Sequence, residues 1–264
     1  MGGMQIARAP AIQVVPALAL AKGFKGYKPE EEKVVRKVQV VEDETLKKLK
    51  RAFRIRLDPD EACMDYWKKA LDRVRPMRYS AKDVEGFSIA LGDSDMEWFV
   101  DEAGLFLSAL VNHGKDSDYV IHSAHLDVLP RSLGYENTKN IIVKGDVDEA
   151  FGCTMKAGAA IVEGNASDNL GEFMEGGSIT VKGDAGSDVG RCMKGGTIRV
   201  EGNAGDWIGE SMEGGSITVN GDAGGAIGLE MRGGEIFLEG DYRSIADSIE
   251  HGKIYHKGVL IVDK

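Results

Sequence analysis

The sequence predicts an α+β N-terminal region followed by a parallel β-helix of about six 19-residue coils, and three observations carry that prediction. The first is a repeating unit, I-x-V-x-G-[DN]-x-x-x-x-[IV]-G-x-x-M-x-G-G. Its first glycine falls at Gly145, Gly164, Gly183, Gly202, Gly221 and Gly240, without insertion or deletion. A second glycine keeps step at Gly152, Gly171, Gly190, Gly209 and Gly228, and a methionine at Met155, Met174, Met193, Met212 and Met231. A fixed period of about 20 residues marks a solenoid, whose units bury their apolar faces only by stacking. The second observation is alternation within the unit, as in Ile179-Thr180-Val181-Lys182 and Ile217-Thr218-Val219-Asn220, which is strand periodicity. The third is that the unit is too short for two packed helices and is broken repeatedly by Gly, which turns the chain by entering positive φ cheaply. Six coils spaced ~4.8 Å apart make a rod of roughly 29 Å.

Taken in order, residues 1–32 read as an irregular arm with Gly23, Gly26 and Pro29. Residues 33–139 read as a small α/β domain capping the solenoid, and residues 140–264 as the β-helix with a C-terminal cap. Val34–Val41 alternates weakly as a strand. Glu44–Phe53 is a basic helix, followed by a short strand at Arg54–Leu57. Asp58-Pro59 supplies an N-cap and first-turn proline for a helix to about Arg75, stopped by Pro76. Phe87–Leu91 reads as a strand. Asp95 caps a helix over Met96–Val111, ending near Asn112-His113-Gly114. Tyr119–Val128 is strand-like and fits a degenerate zeroth coil. Gly134 and Asn137 sit one residue out of phase with the glycine and methionine of the regular coils.

Within the coils, four inward ladders align. They are Ile141, Ala160, Ile179, Ile198, Ile217, Ile236; Val143, Val162, Val181, Val200, Val219, Leu238; Phe151, Leu170, Val189, Ile208, Ile227, Ala246; and Val147, Ala166, Ala185, Ala204, Ala223, Tyr242. The methionine ladder reads as core filling rather than a metal or cofactor site, since Met is a flexible apolar gap-filler. Two outward ladders alternate in sign: Lys144, Glu163, Lys182, Glu201, Asn220, Glu239, and Lys156, Glu175, Lys194, Glu213, Arg232. A slip by one coil would leave the apolar ladders matched but stack like charges. The 38-residue super-period fits either selection against such slips or passive inheritance from a duplicated two-coil unit. The residue after the first glycine runs Asp146, Asn165, Asp184, Asn203, Asp222, Asp241, so most carboxylates do not stack directly.

Composition limits the function classes. The chain of 264 residues has a formal net charge of −10, with 42% hydrophobic residues. Residues 1–139 hold 22 basic and 22 acidic side chains, so the 11 basic and 21 acidic ones beyond carry all the excess negative charge. An acidic rod is a poor nucleic-acid binder. Cys63, Cys153 and Cys192 form no CxxC pair, which points to a reducing cytosol rather than a disulfide framework. Ala9–Ala21 is apolar and loosely like a signal peptide, but its two prolines and weak basic region argue against one. No run is long enough to span a bilayer. A cytoplasmic protein is expected.

Little chemistry is apparent. In His122-Ser-Ala-His125-Leu-Asp127-Val-Leu-Pro130, the His two residues before an Asp looks like the first metal-site motif of zinc aminoacylase-type peptidases. Such a site needs further carboxylates and a downstream His, whereas the sequence beyond Pro130 is a Gly-rich rod with only His251 and His256. His122, His125 and Asp127 are therefore the candidate metal residues of an alternative, hydrolytic reading, and surface or strand-edge polar residues are the plainer one. Gly183-Asp-Ala-Gly186 and its kin lack the strand–loop–helix context of a phosphate loop. Calcium-binding nonapeptide repeats use a denser Gly-Asp spacing. No Ser-His-Asp triad is evident, and no catalytic residue or cofactor is expected.

The coils, for example Gly183-Asp-Ala-Gly-Ser-Asp-Val-Gly190-Arg-Cys-Met193-Lys-Gly195-Gly196, resemble the GXGXG β-helix family over residues 140–252 or so. That family includes the β-helical subunit of formylmethanofuran dehydrogenase, the matching subunit of the formyltransferase/hydrolase complex, and the C-terminal domain of the glutamate synthase large subunit. The resemblance implies a right-handed, single-stranded parallel β-helix serving as a non-catalytic scaffold for other subunits, most of all in one-carbon or formyl metabolism. Partners would be other protein subunits or further copies of the chain, with no nucleic acid and no membrane. Residues 1–139 match nothing in those proteins, and the amidotransferase and flavin domains of glutamate synthase are absent.

Overall fold

A computed structural model describes residues 42–53, 63–93 and 100–264 of the chain. The arm at 1–32, the apolar stretch Ala9–Ala21, the strands expected at Val34–Val41 and Arg54–Leu57, the Asp58-Pro59 helix start and the Asp95 cap lie outside the described residues.

Among the described residues, four helices precede the solenoid: α1 (Glu44–Phe53), α2 (Cys63–Val74), α3 (Ala81–Ala90) and α4 (Val100–His113). α1 has the bounds its charge and apolar pattern predict. It buries Leu46, Leu49 and Phe53, and Phe53 meets Phe87 of α3 and Phe106 of α4 at centroid distances of 5.7 and 5.4 Å. The expected strand at Phe87–Leu91 is instead the end of α3 and a following 3-10 turn. Two signals decide this. Ser80 and Asp83 form a reciprocal capping box, and Val84, Phe87 and Ala90 are buried at helical spacing.

Eight parallel strands and one antiparallel strand follow in a single sheet ordered as in the chain. They are β1 (Asp118–His122), β2 (Asn140–Lys144), β3 (Ala159–Val162), β4 (Ser178–Val181), β5 (Thr197–Val200), β6 (Ser216–Val219), β7 (Arg232–Leu238), β8 (His251–His256) and β9 (Val259–Asp263). The result is a β-solenoid of about seven turns. From β2 to β7 the register step is 19, with Ile141 opposite Ala160, then Ile179, Ile198, Ile217 and Ile236 in turn. The first two apolar ladders and the Met ladder are buried throughout. The small-residue ladder pairs through isolated parallel bridges from Val147 to Tyr242.

Both ends depart from the regular step. β1 is a zeroth coil, as the sequence suggests, with Asp118 opposite Asn140. It stops at His122 rather than continuing to Val128, because the amides of Ser123 and Ala124 both donate to the Lys144 carbonyl and turn the chain. The out-of-phase residues fall into place there: Gly152 donates to Leu133 O and Lys156 to Asn137 O, so Asn137 takes the position that Met155 holds one coil later. Asn137 is buried, and its side-chain amide bonds twice to the Lys139 backbone. At the other end, Ile227 pairs with Ile245 and Ile236 with Ile254, so the coil after Gly240 is one residue short. Ile245 therefore occupies the ladder position assigned to Ala246, and a register shift between Arg232 and Glu235 absorbs the difference.

The first and second glycines of the unit act differently. The second set has φ of 67–71°, and a Cβ there would strike the δ-methyl of an Ile further along the rod, Ile217, two units on, for Gly190. From Gly164 onward the first set does not enter positive φ. Its glycines are required by close approach: a Cβ on Gly202 would lie 2.7 Å from Gly183 O and also crowd Asp184 Oδ1. The Asp/Asn ladder explains that crowding. Asp146 Oδ1 accepts from Asn165 N at 2.7 Å, Asn165 Oδ1 from Asp184 N at 2.9 Å, and so on to Asp241. Asp and Asn alternate without penalty because both offer an Oδ1.

Candidate docking surface

The N-terminal edge of the solenoid is closed by helices. Ser108 of α4 accepts from the amides of Gly134 (2.8 Å) and Tyr135 (3.2 Å). One turn on, Asn112 accepts from Thr138 N and donates to Tyr135 O. Gly104 permits this approach, since a Cβ there would run into the Arg131 carbonyl. Trp67 of α2 stacks edge-on against Tyr135 at 5.3 Å.

The sequence-predicted metal residues fall in this junction. His122 Nε2 lies 3.0 Å from Glu85 Oε1, and its backbone N–H donates to Ser88 Oγ. His125 Nε2 lies 2.8 Å from Ile89 O. Asp127 is exposed. Both rings thus tie the zeroth coil to α3, through different partners. Among the described residues no group of three or more His, Cys, Asp or Glu side chains is placed to hold a metal ion. The Gly and Met ladders are structural: Met174 Cε lies 2.7 Å from where a Cβ on Gly196 would be, and the same pairing of Met with the last glycine of the next coil recurs along the rod.

One corner of the rod is not accounted for by its own architecture. Each corner holds two non-glycine residues in left-handed backbone, at the ladder positions Ala150, Asn169, Asp188, Trp207, Ala226 and Thr154, Phe173, Cys192, Ser211, Glu230. That conformation favours Asn, Asp and Gly and penalises bulky side chains. Nevertheless Trp207 (φ 61°) and Phe173 (φ 55°) sit there, 44% and 42% exposed. They are two coils apart, or ~10 Å along the axis, on opposite sides of the turn. Between them Glu172, Arg191 and Glu210 stack coil on coil, with Arg191 Nη1 3.5 Å from Glu172 Oε1 and Nε 3.7 Å from Glu210 Oε2. Burial pushes the Glu172 carboxyl above the usual carboxylate range, against the pull of Arg191. Asp188 is raised as well, first by burial and then by the hydrogen bond and charge of Glu210. Burial likewise raises the Cys192 thiol. The corner is therefore two exposed aromatic rings around one guanidinium and an excess of carboxylates, and aromatic and Arg side chains dominate the energetics of protein interfaces. Sequence reasoning missed it, although Trp207 and Phe173 stand out in their ladders as the only aromatic members.

No helix among the described residues is long and apolar enough to cross a membrane. No protein-family model matches the chain, and no curated protein matches it.

Proposed function

We propose that the chain is a non-catalytic scaffold within a cytoplasmic complex of several subunits. The observation that carries this reading is the pair Trp207 and Phe173, exposed and held in a backbone conformation that the fold imposes but that does not call for aromatic rings. Aromatic residues and Arg are enriched at protein interfaces. Seven turns of cross-bonded coils make a stiff support, and the partner face would bring cationic side chains to Glu172, Asp188 and Glu210 and an apolar seat to the two rings. The coil motif's likeness to the β-helical subunit of formylmethanofuran dehydrogenase supports a complex that handles formyl or other one-carbon units. Purification of the tagged chain from its native host tests this: other subunits should accompany it in fixed stoichiometry. Stoichiometric zinc in the chain purified alone, lost on His125→Ala, would overturn the scaffold reading in favour of a hydrolytic site.

A further inference from the structure

The chain has seven asparagines, and one is unlike the rest. Asn112, Asn137, Asn140, Asn165, Asn169 and Asn203 each hold a side-chain hydrogen bond. The half-buried carboxamide of Asn220 has no hydrogen-bond partner among the described residues. Asn220 is also the only asparagine followed by glycine, Gly221. Glycine lacks the Cβ that would hinder its own nitrogen, so this pair suits an intramolecular reaction. The Gly221 nitrogen gives up its proton and bonds to Asn220 Cγ. The bond from Cγ to the side-chain nitrogen breaks, and ammonia leaves with that proton. Water then opens the succinimide ring at either carbonyl. One product is aspartate. The other is isoaspartate, in which an extra methylene has entered the main chain. No oxidant, metal or cofactor takes part.

The coil controls the nucleophile but not the amide it attacks. Gly221 N–H donates to Gly202 O at 2.9 Å, and Asn220 N–H donates to Val200 O at 2.9 Å. Both bonds run to the preceding coil, so the Gly221 nitrogen is released only when the two coils part there. The product then fits the rod poorly. Asn220 stands between Glu201 and Glu239 in its ladder, where sign alternation would place a cation. A carboxylate at that rung makes three in succession, ~4.8 Å apart, and like charges stacked across strands repel. Isoaspartate also lengthens the link between the two bonded amides.

We infer that Asn220–Gly221 is a site of spontaneous deamidation, gated by parting of the coils at β5 and β6, whose one-way product loosens the rod between β6 and β7. The inference does not depend on what the corner of the rod binds. The test incubates the full chain in mildly alkaline buffer, with and without denaturing urea, and maps deamidation by mass spectrometry of peptides. In urea position 220 should react first. In native buffer it should react at least about tenfold more slowly, because attack waits on local opening. Asn220→Asp should melt below wild type, by less at high salt, and Asn220→Lys should melt no lower than wild type. Equal rates at position 220 in the two buffers overturn the gating. Faster reaction of another asparagine in urea overturns the site. An Asn220→Asp variant that melts with wild type overturns the loosening.

Discussion

Replacing Gly202 by Ala separates two reasons for a glycine ladder. Gly202 does not enter positive φ, so the added methyl meets no conformational barrier of its own. It would instead lie 2.7 Å from Gly183 O and 2.8 Å from Gly183 C. That carbonyl is the acceptor of the Gly202 amide, at 3.0 Å. Neither neighbour can rotate away, so coils at Gly183 and Gly202 must separate and stretch the bonds around them, including that from Asn203 N to Asp184 Oδ1 at 2.7 Å. Overpacking costs about 1–3 kcal/mol, and a clash with backbone belongs at the upper end. For an ordered region of this size each kcal/mol moves the midpoint by about 2–4 °C, so a fall of about 6–12 °C is expected. Thermal unfolding followed by circular dichroism measures it. Gly258→Ala is the complementary control, with φ of 76° and nothing within 4 Å of the new Cβ. It carries only the left-handed penalty of about 1–2 kcal/mol. If Gly202→Ala melts within about 2 °C of wild type, less than 1 kcal/mol on the same scale, or no lower than Gly258→Ala, the close-approach explanation of the first ladder is wrong.

Met193 is fully buried, so Met193→Ala should destabilise by about 2–5 kcal/mol in denaturant titration, and Met193→Leu by less than about 1.5 kcal/mol. Asp188 and Glu172 have carboxyl pKa values raised in the folded state. The folded protein then holds protons that the unfolded chain has released, so their contribution falls as pH rises from the ordinary carboxylate range through the raised values. Asp188→Asn should accordingly raise the melting temperature at neutral pH, with the gain shrinking as the pH is lowered into the ordinary carboxylate range. Reversal of Lys182 and Lys194 to Glu should lower the melting temperature, and less so at high salt. The only described ion pair in that first alternating ladder, Lys182 to Glu163, is 4.0 Å long and half exposed, so the loss should be no more than about 1 kcal/mol per site. No change would favour passive duplication over selection of coil register.

The solenoid is legible because stacking repeats the same contact at the same step: Ile179 over Ile198 over Ile217 is written directly as a 19-residue period. Helix α1 is legible from its own amphipathic pattern. Phe87–Leu91 reads wrongly because its five apolar-rich residues look alike in a strand and at the end of a helix. The capping box at Ser80 and Asp83, which decides between them, lies outside the run. The Asp/Asn ladder looks like charge spacing because its hydrogen bonds run to backbone of the next coil, which composition does not reveal. His122 and His125 draw attention by their spacing, but their partners, Glu85 and Ile89, lie 37 and 36 residues away on a helix whose end resembles a strand. The corner patch is hidden for another reason: exposure of Trp207 and Phe173 follows from left-handed corners that only the coil geometry fixes.

The scaffold reading rests most directly on the corner at Arg191. Trp207→Asn with Phe173→Ser copies residues that other coils already carry at those positions, Asn169 and Ser211, so the fold should be retained. The measurement is affinity purification of tagged wild type and this double variant from the native host, with subunit stoichiometry read by quantitative mass spectrometry. The expected result is partner subunits in fixed ratio with wild type and their loss from a variant that melts as wild type does. Equal retention by both proteins, or a wild-type chain that comes through without other subunits, would contradict it.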